Sequence, residues 1–379
     1  MQAMDSAQSQ LIQIAERVRA AAADATPLRI RGGGTKDFHG LALQGELLDT
    51  RTLAGVVSYE PSELVVTVRA GTPLAEVEAL LAAQGQCLAF EPPHFEGADG
   101  RATVGGMVAS GLSGPSRASV GAVRDFMLGL EMINGQGELL RYGGQVMKNV
   151  AGYDVSRLMA GSWGTLGLIT EVSLKVLPVA PAEATLRFEC TQQQALDWLN
   201  AWGGQPLPLN ASCWLQEDSA AQGVLYLRLR GARAAVQAAC GRLGGERMHS
   251  AAADWQACRE HQLPWFTARA PGHALWRLSV PQTAPVLALP DGCTGPLIEW
   301  HGALRWVQAP RALGHALRAL AKAADGSATL FRSEATGQPG AEPDFDAQAA
   351  DATAALHARL KQAFDPAGIF NRGRLAAAW

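Results

Sequence analysis

The residues of this chain best suited to chemistry lie in three glycine-bearing segments. The first is Arg31-Gly32-Gly33-Gly34-Thr35-Lys36. Consecutive glycines after a strand can turn several N–H groups toward one anion, the geometry of a phosphate cradle. The loop lacks the Gly-x-x-x-x-Gly-Lys-Ser/Thr spacing of a Walker A motif, and Asp37 stands where a dinucleotide fingerprint needs its third glycine. The second segment combines Gly105, Gly106, Gly111 and Gly114 with the hydroxyls of Thr103, Ser110 and Ser113. The third runs Lys148-Asn149-Val150-Ala151-Gly152-Tyr153-Asp154, then Gly161 to Thr170, ahead of a strand pattern from Ile169 to Val176. Asn149 and Asp154 offer polar groups to a heteroaromatic ligand. Each segment alone also reads as a tight turn. All three fall inside the first 180 residues, and two anion-friendly loops far apart in sequence suit a pyrophosphate held from both sides.

The elements that must position these loops follow from periodicity. Residues 8–22 have apolar positions at helical spacing, and Leu28-Arg29-Ile30 is a short strand. A second strand covers Gly45 to Asp49, and Leu64 to Ala70 is β-branched and strand-like. Thr72-Pro73 reads as an N-cap with proline at the first helical position, opening a helix to about Gln84. Residues 91–124 read as loop, and 126–143 as a hairpin turning at Asn134-Gly135. Beyond Pro178, strands at Ala184–Phe188, Val224–Leu229 and Leu275–Leu278 alternate with helices at Gln192–Trp202 and Ala232–Leu243, predicting a small α/β cap. Residues 335–345 read as flexible, before a last helix from Asp346 to Phe364.

With 379 residues the chain exceeds one ordinary core. Its 48% hydrophobic and 18% charged residues mark a globular protein, and a net charge of -3 gives no footprint for nucleic acid. No apolar run reaches a membrane span and no signal pattern opens the chain, so a cytoplasmic location is expected. Six scattered cysteines without Cys-x-x-Cys spacing argue against zinc or an iron–sulfur cluster, and no metal is expected.

Arg31 to Lys36, the Glu91-Pro92-Pro93-His94 run leading to Thr103-Val104-Gly105-Gly106-Met107-Val108-Ala109, Ser119 to Asp125, and Lys148 to Asp154 together resemble the FAD-binding domain of the vanillyl-alcohol-oxidase/p-cresol-methylhydroxylase superfamily. Tyr59 to Val66, Val123 to Phe126, Gly302 to Trp306 and Asp365 to Leu375 extend the likeness to the FAD-binding E-subunit family of bacterial glycolate oxidases. The resemblance implies an α+β fold: a two-subdomain FAD-binding domain of the p-cresol-methylhydroxylase type over residues 1–180, a small cap over 181–330, and a segment over 331–379 returning to the FAD domain. It implies FAD held by Arg31, Gly32, Gly33, Gly34, Thr35, Lys36, Pro93, Thr103, Gly105, Gly106, Ser110, Asn149, Gly152, Tyr153 and Ile169. Covalent members often have a histidine after the glycine loop. Here Thr35 and Lys36 stand there, and His39 reads as a surface or packing residue.

The implied activity is FAD-dependent oxidation of glycolate, with D-lactate as a further candidate, to the 2-oxo acid. The implied partners are a second FAD-containing subunit and an iron–sulfur subunit that takes the electrons, with any membrane contact peripheral and made through them. The alternative is a non-catalytic flavin relay or assembly subunit. Eight of the ten tryptophans fall in residues 198–306 and read as interface material. Oxidising a hydroxy acid needs a base and a cation for the carboxylate. The cap offers Arg259, His261, Arg269, His273, Arg277, His301 and Arg305, but no motif joins them and the sequence names no catalytic residue.

Overall fold

The computed structural model describes residues 2–42, 44–96, 100–144, 154–216, 222–333 and 352–377. Asn149, Gly152, Tyr153 and the 335–345 stretch lie outside them. The strand Leu28–Arg31 pairs in parallel with Glu46–Asp49 and leads directly into the first glycine loop. The helix Gln2–Ala23 lays Ala15, Val18 and Ala21 against Leu28, Leu48 and Leu53. Phe370, fully buried, enters the same core from the C-terminal end, where Leu28 N–H donates to Ile369 O and Asn371 N–H to Leu28 O. The tail therefore extends the first strand's hydrogen bonding and returns to the N-terminal layer.

A five-stranded antiparallel sheet follows, ordered Val56–Glu60, Val65–Arg69, Leu168–Lys175, Met127–Ile133 and Leu139–Gly143. The β-branched run Val65-Val66-Thr67-Val68 is buried on both faces, which makes it an inner strand. Two local expectations change. The helix Leu74–Ala82 has Pro73 at its cap, because the Thr72 hydroxyl is taken by Arg69 O and Gly55 N–H. The hairpin loop spans five residues, closed by Asn134 Oδ1 accepting from the N–H groups of Gln136 and Glu138. Gly135 instead admits the end of the last helix: a Cβ there would meet Asp365 Cα at 2.7 Å.

Residues 182–332 form an eight-stranded sheet, antiparallel at every pairing, in the order Glu246–Met248, Ala182–Cys190, Gly223–Gly231, Leu209–Leu215, Thr294–Glu299, Leu304–Pro310, His273–Ser279 and Ser327–Arg332. The helices Gln192–Gly203, Arg233–Leu243 and Gly314–Ala323 cover one face. The other face meets Phe38, Phe95, Leu112 and Ala118 of the N-terminal half. This packing corrects the interface reading of the tryptophans. Trp214 and Trp276 are buried between the sheet and its helices, Trp255, Trp300 and Trp306 in the core shared with Phe38 on the other face, and of these eight only Trp198, Trp202 and Trp265 are partly exposed. Among the described residues no helix is long and apolar enough to cross a membrane, and no group of three or more His, Cys, Asp or Glu is placed to hold a metal.

Candidate functional site

The glycine loop after the first strand forms one wall of an open cleft. Ile30, Arg31, Gly32, Gly33, Gly34, Thr35, Lys36 and Asp37 line it. None of the backbone N–H groups of Gly32 through Lys36 donates a hydrogen bond within the described residues. Five consecutive amides without a protein partner, in a loop that lines a cleft, suit an anion. Gly34 has φ +74°, a conformation glycine adopts without cost. Gly32 and Gly33 are glycines for a different reason. A Cβ would meet Thr103 Oγ1 at 2.3 Å and Arg101 O at 1.6 Å respectively, so they let the opposite wall approach.

That wall is the helix Val104–Ser110, where the sequence had suggested loop because Gly105 and Gly106 have low helix propensity. Thr103 caps it by accepting from Gly106 N–H, and Gly111 ends it at φ +62°. Thr103, Gly105, Gly106, Ala109 and Ser110 line the cleft. Their amides are not a second cradle: Gly105 N–H is held by Ala70 O at 2.7 Å and Gly106 N–H by Thr103 Oγ1. Gly105 serves close packing, since a Cβ would lie 2.7 Å from that of Ala70.

Trp163, Gly164, Gly167 and Ile169 form the third wall, and Asn371 and Arg374 the fourth. Asn371 Oδ1 accepts from Ile30 N–H at 2.8 Å while its Nδ2 donates to Trp163 O at 2.8 Å, tying three walls together. Arg374 donates to Lys36 O at 2.7 Å and lies over the Trp163 ring. His39 is buried and stacked on Trp163 at 4.0 Å, a packing histidine. Of the residues expected from sequence, Arg31 to Lys36, Thr103, Gly105, Gly106, Ser110 and Ile169 converge on this cleft. Pro93 does not, and Asn149, Gly152 and Tyr153 lie outside the described residues. Sequence reasoning missed Asn371 and Arg374, although the Asn-Arg-Gly-Arg run of the tail was a visible signal.

Lys36 marks the inner end of the cleft. It is 7% exposed and donates to Thr35 Oγ1 and His94 O. Burial lowers its pKa to about 8, with Glu260 opposing and Arg332 reinforcing the shift. Beyond it lies a smaller cavity between the two halves of the molecule, lined by Pro93, Phe95, His261, Arg277, Glu299 and Trp306 among others. Burial raises the Glu299 carboxyl to about 7, while Trp306 Nε1–H and the Cys258 thiol donate to it. Of the seven cationic candidates in the cap, Arg259, His261 and Arg277 line this cavity. Arg305 is buried instead among the carbonyls of Gly302, Ala284 and Pro285. His301 meets Ser119 and Ser212, and burial holds its pKa near 4.

A family model for the FAD binding domain matches residues 9–143, which hold the cradle and the helix opposite it. The glycolate oxidase subunit GlcE of Escherichia coli (strain K12) is 46% identical over 363 residues, 96% of either chain. The glycolate oxidase subunit GlcD of Bacillus subtilis (strain 168) is 30% identical over 162 residues, 42% of this chain and 34% of that one. Among solved structures, p-cresol methylhydroxylase superposes with a TM-score of 0.70 at 14% identity, covering 96% of this chain and 87% of that one. The matched FAD binding domain and the shared fold make the chain an FAD-binding flavoprotein of the p-cresol-methylhydroxylase fold. Within that class the likeness across almost the full length is more specific. The chain belongs to the family of the glycolate oxidase subunit GlcE.

Proposed function

We propose that this chain is the flavin-bearing subunit of a glycolate oxidase complex and that it oxidises a short 2-hydroxy acid, glycolate first, to the 2-oxo acid. The observation that carries the reading is the run of amides from Gly32 to Lys36, unpaired within the described residues, in a loop that lines the cleft. The residues present fit FAD. In this reading the amides of Gly32 to Thr35 hold the pyrophosphate, helped by the positive charge of Lys36. The helix Val104–Ser110 and the Trp163–Gly167 turn sandwich the cofactor, and Asn371 and Arg374 fix the wall on which its ring system rests. FAD when bound supplies the hydride-accepting chemistry; the protein supplies position and electrostatics.

The cavity beside Lys36, where Arg259, Arg277 and Glu299 meet, places ionisable groups next to the cleft and supports a catalytic role over a pure electron relay. Six free thiols without cluster spacing give the chain no iron–sulfur centre of its own. Reduced flavin therefore passes its electrons to a partner, which we take to be an iron–sulfur subunit acting beside a second flavoprotein in the cytoplasm, with any membrane contact made through them. The test is anaerobic addition of glycolate to the FAD-loaded chain, with and without co-purified partners. Bleaching of the flavin band by glycolate in the isolated chain supports the reading. Bleaching only when a partner is present assigns oxidation to the partner and leaves this chain as the relay.

A further inference from the structure

A groove of about 880 Å³ lies on the eight-stranded sheet and shares no lining residue with the FAD cleft. Its floor is the sheet face opposite the three helices. Along the strand Gly223–Gly231, Leu225, Leu227 and Leu229 point to the helices and are fully buried. Val224, Tyr226 and Arg228 alternate with them and point the other way. Arg228 is covered by the N-terminal half through Glu91. Val224 and Tyr226 are half-buried and line the groove. One face of one strand thus passes from a closed contact to an open one. Leu215 and Met248 extend the apolar floor, and Leu263 and Trp265, at the short helix Pro264–Thr267, wall it. A sheet face that meets water ordinarily carries polar residues at such positions. Apolar ones in a continuous groove mark a surface that another molecule covers.

Two observations say what kind of molecule. First, the sheet parts here. Leu209–Leu215 pairs with Thr294–Glu299 only at Cys213–Glu299 and Trp214–Ile298. Beyond those pairs neither strand has a neighbour on that side among the described residues, and Leu215 and Thr294 both line the groove. Open strand edges offer main-chain groups that a polypeptide can pair with. Second, the charges at the groove are uneven. Arg187 is taken by Glu189 at 2.9 Å and by Glu246 at 3.2 Å. The exposed Asp254, on the helix Ala252–Arg259, forms no ion pair among the described residues. An arriving cation would answer it.

We propose that this groove is the docking site of a partner polypeptide, which inserts a segment with an apolar face and places a lysine or arginine against Asp254. The assignment rests on the reading of this chain as one subunit of a complex, and it gives the contact a place: the outward continuation of the sheet face that already packs on the N-terminal half.

The experiment is photocrosslinking in the native complex, purified through a tag on this chain from the cells that produce it, with p-benzoylphenylalanine replacing Tyr226. The adduct, mapped by mass spectrometry, should join Tyr226's position to an apolar segment of a co-purifying polypeptide of different sequence. Val224→Asp should lower retention of that polypeptide about tenfold or more. Asp254→Arg, an exposed substitution that leaves the core untouched, should do the same with flavin content and melting temperature unchanged. A covalent dimer of two copies, or an adduct to another part of this chain, overturns the proposal. Retention at the wild-type level in either variant also overturns it, yet leaves membership of a complex intact. A wild type that purifies alone overturns both, while its flavin content tests the FAD reading separately.

Discussion

Replacing Glu91 with glutamine probes the tie between the N-terminal half and the strand Gly223–Gly231 of the eight-stranded sheet. Glu91 is 15% exposed and its carboxylate accepts from Arg228 Nη2 at 2.6 and 2.7 Å, from Arg230 Nη1 at 3.0 Å and from Ser116 N–H at 3.2 Å. Arg228 is 3% exposed; it also donates to Asn210 Oδ1 and lies over the Trp255 ring. Glutamine keeps one acceptor oxygen but removes the charge and points an N–H₂ at two guanidinium groups. Breaking a buried pair by removing one partner costs about 3–5 kcal/mol. The lower end applies here, because Arg230 keeps Glu183 at 2.6 Å and is 27% exposed. Glu91→Gln should therefore lose about 3 kcal/mol at pH 7. Burial alone would raise the carboxyl, but Arg228 and Arg230 together hold it below its ordinary value. The unfolded chain then takes up the proton first as pH falls. The contribution of Glu91 is complete above the unfolded carboxylate range and disappears as pH drops through the lower folded value. Urea unfolding from pH 7 downward should show wild type losing this increment while Glu91→Gln starts without it and falls less steeply. A variant within about 1 kcal/mol of wild type at pH 7, with the same acid profile, refutes the reasoning.

The returning tail depends on Lys361, whose ammonium donates to Thr165 O, Asp365 Oδ2 and Phe370 O at 2.7, 2.7 and 3.1 Å. Lys361→Met leaves the fully buried Asp365 carboxylate without its cation and should cost about 3–5 kcal/mol in urea unfolding; a loss under about 1 kcal/mol contradicts this. Lys36 supplies a second pH signature. Its folded pKa of about 8 lies below the unfolded value, so the FAD-free chain should gain about 3 kcal/mol as pH rises from 8 to 10.5, at roughly 1.4 kcal/mol per unit. Lys36→Met should remove that rise, and matching profiles for the two proteins would show that Lys36 titrates normally.

The β-branched run at Val65–Val68 and the strand before the glycine loop were legible because local propensity and tertiary burial agree there. So was the tail's return, through the resemblance carried by Asp365 to Leu375. The helix Val104–Ser110 was not, because its glycines answer to the approach of Ala70 and not to helix propensity. Thr72 was misread as a cap since its hydroxyl has stronger tertiary claims on it. The tryptophans suggested a docking surface because composition cannot distinguish an aromatic that packs a wide antiparallel sheet from one that meets a partner. Tyr226 and Trp265 lie far apart in sequence, on a strand and a short helix, and only the fold brings them to the same groove.

The central claim is that FAD lies in this cleft with its pyrophosphate on the Gly32–Thr35 amides. A crystal structure of the FAD-loaded chain tests it most directly. The account predicts phosphate oxygens within about 3 Å of those N–H groups, the ordinary N–H···O distance, and the flavin ring at the Lys36 end. A pyrophosphate bound elsewhere, with the Gly32–Thr35 amides still unpaired, would contradict it.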